Sequence, residues 1–231
     1  MKYLIIPIII VLTLLGACKK NSDSAVPDTH GNFMFVNAVS STPGVEFNIK
    51  LDTINFASNV AYKTSTGYKS YLAKKYNLII TTSDQPDRIL VNQEIFLRNN
   101  RYYTAFMGVD STQQVLSMIL TEDDLSTRAD SAKFRVIDFS QAFKPNRAPL
   151  GIDVFAGNPP RIFRGLTFPS QTSFVSLVGD STYTMNFNYV DSNLVLKSIP
   201  LATKKGKVYT LVTAGYPLDA TKFDILTVQH N

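Results

Sequence analysis

Phe33-Met34-Phe35-Val36-Asn37-Ala38 returns further along the chain as Phe134-Arg135-Val136-Ile137-Asp138-Phe139, an apolar run closed by Asn or Asp. Working outward from this pair, four more blocks return in the same order. Gly44-Val45-Glu46-Phe47 matches Gly151-Ile152-Asp153-Val154. Val60-Ala61-Tyr62, followed by Thr66 and Tyr68, matches Leu166-Thr167-Phe168, followed by Thr172 and Phe174. Tyr76 and Asp84 match Tyr183 and Asp191, and Arg101-Tyr102-Tyr103-Thr104 matches Lys207-Val208-Tyr209-Thr210. The partners lie roughly 101–107 residues apart, the size of one small sandwich domain, and ordered blocks at one spacing indicate duplication.

Between the blocks the chain reads as short strands. Tyr, Phe, Val, Ile and Thr dominate, and turn residues recur about every 8–12 positions. Strands are predicted at Phe33 to Val39, Val45 to Leu51, Tyr76 to Thr82, Ile89 to Ile95, Tyr102 to Val109 and Val115 to Thr121. No stretch carries a sustained helical period. The boundary between repeats is predicted near Thr121 to Ser131, where Glu122, Asp123, Asp124 and Asp130 cluster without apolar periodicity and read as a solvated linker. The expected division is a leader at 1–17, a tether at 18–31, and β-sandwich repeats at 32–122 and 132–231.

The repeated motifs resemble a known family. A Val-Asn-Ala or Ile-Asp-Phe corner is followed by Gly-Val-Glu-Phe or Gly-Ile-Asp-Val, an aromatic-Thr-x-Tyr segment, and a Lys/Arg-x-Tyr-Thr strand. This is similar to the domain of unknown function 4397 family, which occurs as tandem repeats in envelope lipoproteins. The resemblance spans most of residues 33–229. It implies an all-β fold of two tandem immunoglobulin- or transthyretin-like sandwiches, and supplies no catalytic residues. Repeat two departs from the pattern where Gln141 to Pro149 extends its first loop.

The N-terminus reads as an export signal. Lys2 is followed by an apolar run from Tyr3 to Leu15 of about 13 residues, too short to span a bilayer and right for a signal core. Leu15-Gly16-Ala17-Cys18 resembles the lipobox of bacterial lipoproteins, and Cys18 is the sole cysteine of the chain. Cleavage before Cys18 and acylation of its thiol, palmitate included, are expected, giving a membrane partner through lipid. Lys19 and Lys20 follow, with no Asp that would retain the protein at the inner membrane. Outer-membrane anchoring is therefore expected, facing either the periplasm or the cell surface. Asn21 to His30 is polar and reads as a flexible tether.

Composition narrows function mostly by exclusion. The chain has 231 residues, 45% hydrophobic and 18% charged, with a net charge of +5, so it buries a core. Its basic runs, Lys74-Lys75 and Lys204-Lys205-Gly206-Lys207, fall at expected hairpin ends and form no stripe for nucleic acid. One cysteine and two histidines, His30 and His230, give poor support to a metal cluster or catalytic triad. No cofactor is expected. Gly179-Asp180-Ser181 resembles an esterase nucleophile block, but no downstream Asp-x-x-His follows, and a hairpin turn is predicted there. The three glutamates, Glu46, Glu94 and Glu122, are not paired by anything in the sequence, as glycoside hydrolysis requires. Calcium on the acidic cluster is the weaker alternative to a solvated linker. Glu46 and Asp153 alternate with apolar neighbours and are expected at solvent or a strand edge. Tyr103 and Tyr209 read as core aromatics whose hydroxyls find backbone partners.

The stretch most suited to binding is the loop Gln141-Ala142-Phe143-Lys144-Pro145-Asn146-Arg147-Ala148-Pro149, stiffened by proline, with Gly157-Asn158-Pro159-Pro160 nearby in sequence. Phe143, Lys144 and Arg147 are its candidate contact residues. The preferred expectation is a non-enzymatic binding or interaction module whose partner is a glycan or an envelope protein. A structural spacer is the second reading, and a glycan-active hydrolase the third.

Overall fold

The structure, a computed structural model, describes residues 29–41, 44–110, 115–140, 142, 143, 146, 148–157 and 160–231. Cys18, Lys144 and Arg147, with the leader and most of the tether, lie outside the described residues. The described chain is all β. The first half holds β1 (His30–Asn37), β2 (Phe47–Leu51), β3 (Ile54–Val60), β4 (Thr64–Ser65), β5 (Lys69–Leu72), β6 (Lys75–Thr82), β7 (Ile89–Phe96), β8 (Tyr102–Val109) and β9 (Leu116–Glu122). The second half repeats them as β10 (Ser131–Ser140), β11 (Ile152–Ala156), β12 (Arg161–Leu166), β13 (Ser170–Gln171), β14 (Val175–Val178), β15 (Ser181–Tyr189), β16 (Val195–Thr203), β17 (Val208–Gly215) and β18 (Phe223–Gln229).

Each half is a two-sheet sandwich. An outer sheet ordered β3-β2-β6-β7 packs on an inner sheet ordered β4-β1-β8-β9, with β5 also paired to β1. The second half repeats this as β12-β11-β15-β16 on β13-β10-β17-β18, with β14 on β10. In both inner sheets the first strand of the half runs parallel to the eighth, Phe33 opposite Tyr103 and Phe134 opposite Tyr209.

The unbroken apolar character of Phe33 to Val36 now has a cause. Successive side chains of a strand point to opposite faces, so a strand apolar at every position is buried on both. Phe33 and Phe35 point into the first sandwich core, with Phe47, Ile49, Ala105 and Met107. Met34 and Val36 point the other way, into a further core built with Phe106, Ile137, Phe139, Val212 and Ala214. The second sandwich has its own core around Phe134, Val136, Ile152 and Leu211. The two inner sheets therefore pack face to face, and the molecule is a stack of four sheets.

β1, β8, β10 and β17 all run the same way. Arg135, midway along β10, bonds Asp123 beside the start of β8, whereas Gly108, near the end of β8, lies against the Phe139 ring near the end of β10. The body thus has two poles. The start of β1 and the C-terminus lie at one, here called proximal. The loops after β1, β8, β10 and β17 lie at the other, the distal pole.

Several expectations are corrected. Asp123 is not solvated linker: it is 4% exposed and ion-paired. Glu122 pairs with Arg98 and Arg101, Asp124 with Lys133, and Asp130 with Lys205, so the four acids diverge to separate cations. Asp153 is buried, because hydrogen bonding aligns Gly151 with Glu46 and Asp153 with Asn48, two residues off the match read from the sequence. It accepts from Gly165 N, Asp191 N and Arg161, while Glu46 is exposed. Gly179-Asp180 is a corner rather than a hairpin, since β14 pairs with β10 in one sheet and β15 joins the other. Lys74 and Lys204–Lys207 likewise lie where the chain changes sheets. Tyr209 accepts from the backbone N–H of Lys204, as expected, but Tyr103 accepts from the Arg98 side chain.

Candidate functional site

Two polar places interrupt the apolar seam between the inner sheets, one at each pole. At the proximal pole Asp123 follows β9 and His230 follows β18, and they are equivalent positions. Asp123 N donates to Tyr102 O, and His230 N donates to Val208 O. Around them stand Thr104 of β8, Thr210 of β17, Arg135 of β10, and Tyr68 and Phe174 from the matched segments.

Donor counting fixes the protonation of this group. The Asp123 carboxylate only accepts, and takes the Tyr68 hydroxyl at 2.8 Å and the Thr104 hydroxyl at 2.6 Å on Oδ2. Tyr68 has spent its proton, so the 2.8 Å contact to His230 Nδ1 requires the ring proton on Nδ1. His230 Nε2 then accepts from Thr210 Oγ1 at 2.7 Å, and Thr210 Oγ1 accepts Arg135 Nε at 3.0 Å. Arg135 Nη2 on Asp123 Oδ1 closes the ring. The neutral imidazole agrees with its environment. Burial pulls the His230 pKa down to about 4, the Arg135 charge adds to this, and Asp123 opposes it. Burial also raises the Tyr68 hydroxyl, as does the Asp123 charge. The Arg135 guanidinium lies over the Phe174 ring at 4.6 Å and the Phe106 ring at 5.6 Å, so its faces are covered as well as its edges. The polar atoms of the ring are engaged inside the protein, which makes it a lock between the halves.

The distal pole is built differently. A cleft of about 600 Å³ opens between the halves, lined by Ser40 and Tyr62 from one half and Gly215, Tyr216, Thr221 and Asp224 from the other, among others. Gly215 lies in the cleft wall, against its own hairpin partner. With φ at 82° and a Cβ position only 1.9 Å from Lys222 O, no side chain fits there. Asp224 accepts from Tyr62 Oη at 2.9 Å and from Lys63 Nζ at 2.8 Å, a second polar tie between the halves. Burial works to raise the Asp224 pKa, but the bonds from Lys63 and Tyr62 outweigh it and hold the carboxyl below its usual range. Burial, then Asp224, pushes the Tyr62 hydroxyl up.

Tyr216 stands at the cleft with 39% of its surface exposed. Its loop is tied to itself: Tyr216 N donates to Lys222 O, Asp219 N to Tyr216 O, and Lys222 N and Phe223 N to Asp219 O. The Asp219 carboxylate accepts from Thr221 N and Oγ1 and pairs with Lys222. A backbone held this way fixes where the Tyr216 side chain starts, which lowers the ordering cost of binding.

Of the residues singled out from sequence, Phe143 is described and is 45% exposed, bridged by backbone to Pro149 in the loop after β10. That loop shares the distal pole with the cleft, but Phe143 is not among the residues lining it. Lys144, Arg147 and Cys18 are outside the described residues, as are Asn158 and Pro159. The cleft itself escaped the sequence reading, since its walls come from segments more than a hundred residues apart. One signal was available: Gly215-Tyr216-Pro217 puts a glycine and an aromatic at the end of an otherwise apolar strand.

The architecture defines the class: two β-sandwiches joined face to face through their inner sheets, with a polar lock at one pole and a cleft at the other. The chain belongs to the family described as Domain of unknown function (DUF4397), whose family model matches residues 31–145, through β10 and into the loop beyond it. No curated protein matches the chain. Among solved structures it is similar to CBMbc, of family CBM26, from Eubacterium rectale in complex with maltoheptaose, at 10% identity and a TM-score of 0.29, covering 84% of this chain and 95% of that one. A leucine-rich repeat protein from Bacteroides thetaiotaomicron matches at 13% identity and a TM-score of 0.21, covering 79% and 26%. A streptococcal virulence factor described by its alpha-glucan binding matches at 9% identity and a TM-score of 0.24, covering 84% and 95%. Likenesses this distant carry no inference about ligand.

Proposed function

We propose that this chain is a non-catalytic binding module, anchored at the outer membrane through lipid on Cys18, that presents its distal pole to a glycan or envelope partner. The carrying observation is the polarity of the body. The tether joins where β1 begins, and the cleft and loop cluster gather where β1 ends. Eight strand residues span about 26 Å, so the cleft stands well clear of the anchored end. A spacer would be served by the same rigid stack, but it needs no cleft with an exposed aromatic. Asp224, held below its usual range by its partners, does not suit the role of a general acid.

A photo-cross-linking amino acid placed at Tyr216, and separately at Lys74 on the proximal pole, tests this in intact cells. Adducts from position 216 and not from 74 are expected. Equal yields from both positions, or none from 216, overturn the reading. Cys18→Ser should abolish incorporation of labelled palmitate, and continued incorporation removes the anchor from the proposal.

A further inference from the structure

The chemistry of the cleft points to a ligand class, and this rests on the distal pole being the binding face. We propose that the cleft takes an uncharged polyhydroxylated ligand, a neutral sugar unit of a glycan, with the sugar's C–H face on Tyr216 and its hydroxyls toward the cleft's hydroxyl and carboxylate oxygens.

Charge argues first. The cleft brings together Asp110, Asp224 and Lys222, with Lys63 beside them. Lys63 is held by Asp224 and Lys222 pairs with Asp219, so the cations are already answered by carboxylates of the protein. An anionic ligand would meet two carboxylates, and a cationic one would meet two ammonium groups. An uncharged ligand meets neither penalty. Hydrogen-bonding capacity argues next. Tyr62 and Thr221 have given their hydroxyl protons to Asp224 and Asp219 and keep lone pairs that accept, so a ligand that brings its own hydroxyl donors, as a sugar does, matches them. The Asp224 carboxylate, ionised and already oriented by two donors, keeps acceptor capacity beyond them. A purely apolar ligand would displace water from these acceptors and offer no donor in return.

Geometry argues last. Tyr216 is the aromatic exposed at the cleft, on a loop whose backbone is bonded to itself, and a tyrosine ring gives flat contact area while ordering only two side-chain torsions.

The test is affinity electrophoresis of the full chain in detergent through gels containing amylopectin, barley β-glucan, yeast mannan or, as an acidic control, polygalacturonate. Retardation by at least one neutral polymer is expected. It should weaken at least tenfold in Tyr216→Ala and be unchanged in Phe143→Ala, both variants keeping the wild-type melting temperature. Retardation that Tyr216→Ala leaves intact moves the site out of the cleft and ends this inference. Retardation by polygalacturonate alone, or by no polymer, ends the neutral-sugar class. The cross-linking yields at positions 216 and 74 judge the distal-pole reading separately, so the two can fail independently.

Discussion

Asn37 and Asp138 occupy the same place in the two halves and do different things there. Each side chain accepts from the backbone N–H two residues on, Val39 N and Ser140 N. The Asn37 amide also donates to Val45 O and Val60 O. Asp138 has no donor to offer while ionised, and its Oδ2 is buried without a partner. Burial raises its pKa despite the hydrogen bonds from Ser140 and Thr213. Asp138→Asn restores the donor and should stabilise the protein by about 1–3 kcal/mol. The sign of the pH effect follows from the raised pKa. The wild-type side chain contributes most when protonated and loses that contribution as pH rises through its folded pKa. The gain in urea unfolding should thus be larger at pH 7 than at pH 4, and a variant no more stable than wild type at pH 7 speaks against it.

His230 titrates with the opposite sense. Its folded pKa lies at about 4, below the ordinary 6.5, so the unfolded chain takes up a proton that the folded one refuses. Stability should fall as pH drops from 6.5 toward 4, by roughly 3 kcal/mol in all. His230→Asn should lose that slope, and equal slopes in the two proteins would remove His230 from the ring's energetics. Part of this ring was legible beforehand. Arg135 interrupts an otherwise apolar run at a position where the first repeat has Met34, and a charge on a doubly buried strand needs a partner. What sequence spacing hid was which acid answers it, because Asp123 was grouped with its acidic neighbours.

Between elements, the tightest fit of the inner seam is Gly108 of β8 under Phe139 of β10, where a Cβ would lie 2.1 Å from the ring. Gly108→Ala should therefore destabilise the fold by about 1–3 kcal/mol through overpacking. The Phe139→Ala background should relieve most of that penalty, because the first repeat carries the small Ala38 at the equivalent place. Thermal or urea unfolding of the four proteins in the cycle measures the coupling, and simple additivity would mean the two residues do not meet. The six strands read from alternation and β propensity correspond to β1, β2, β6, β7, β8 and β9 within a few residues at each end. β3 was hidden by the bulges that shift its register against β2, which spoil the period of two. β4 and β5 are too short to leave a period at all, yet Thr66 was matched correctly to Thr172. Their hydroxyls bond Phe35 N and Val136 N in the two halves.

At the scale of the whole molecule, duplication was legible, whereas the joining of the halves was only implied by strands apolar on both faces. Met34, Val36 and Phe106 are fully buried only because the second half covers them. The halves should therefore unfold together, as one calorimetric transition whose van't Hoff and calorimetric enthalpies agree. Two resolved transitions would mean that the seam contributes little. The same packing aligns the inner strands and so gives the body its poles, on which the functional proposal stands.

Energy transfer to the bilayer reads that polarity directly. The protein carrying the proposed lipid on Cys18 is reconstituted in vesicles with acceptor-labelled lipid, with a fluorescent amino acid either at Lys74 or at Tyr216. Strong transfer from position 74 and weak transfer from position 216 is the pattern the proposal predicts, because the chain enters β1 at one end and the cleft lies at the other. Equal transfer from the two positions, or stronger transfer from 216, would mean that the cleft does not face away from the membrane.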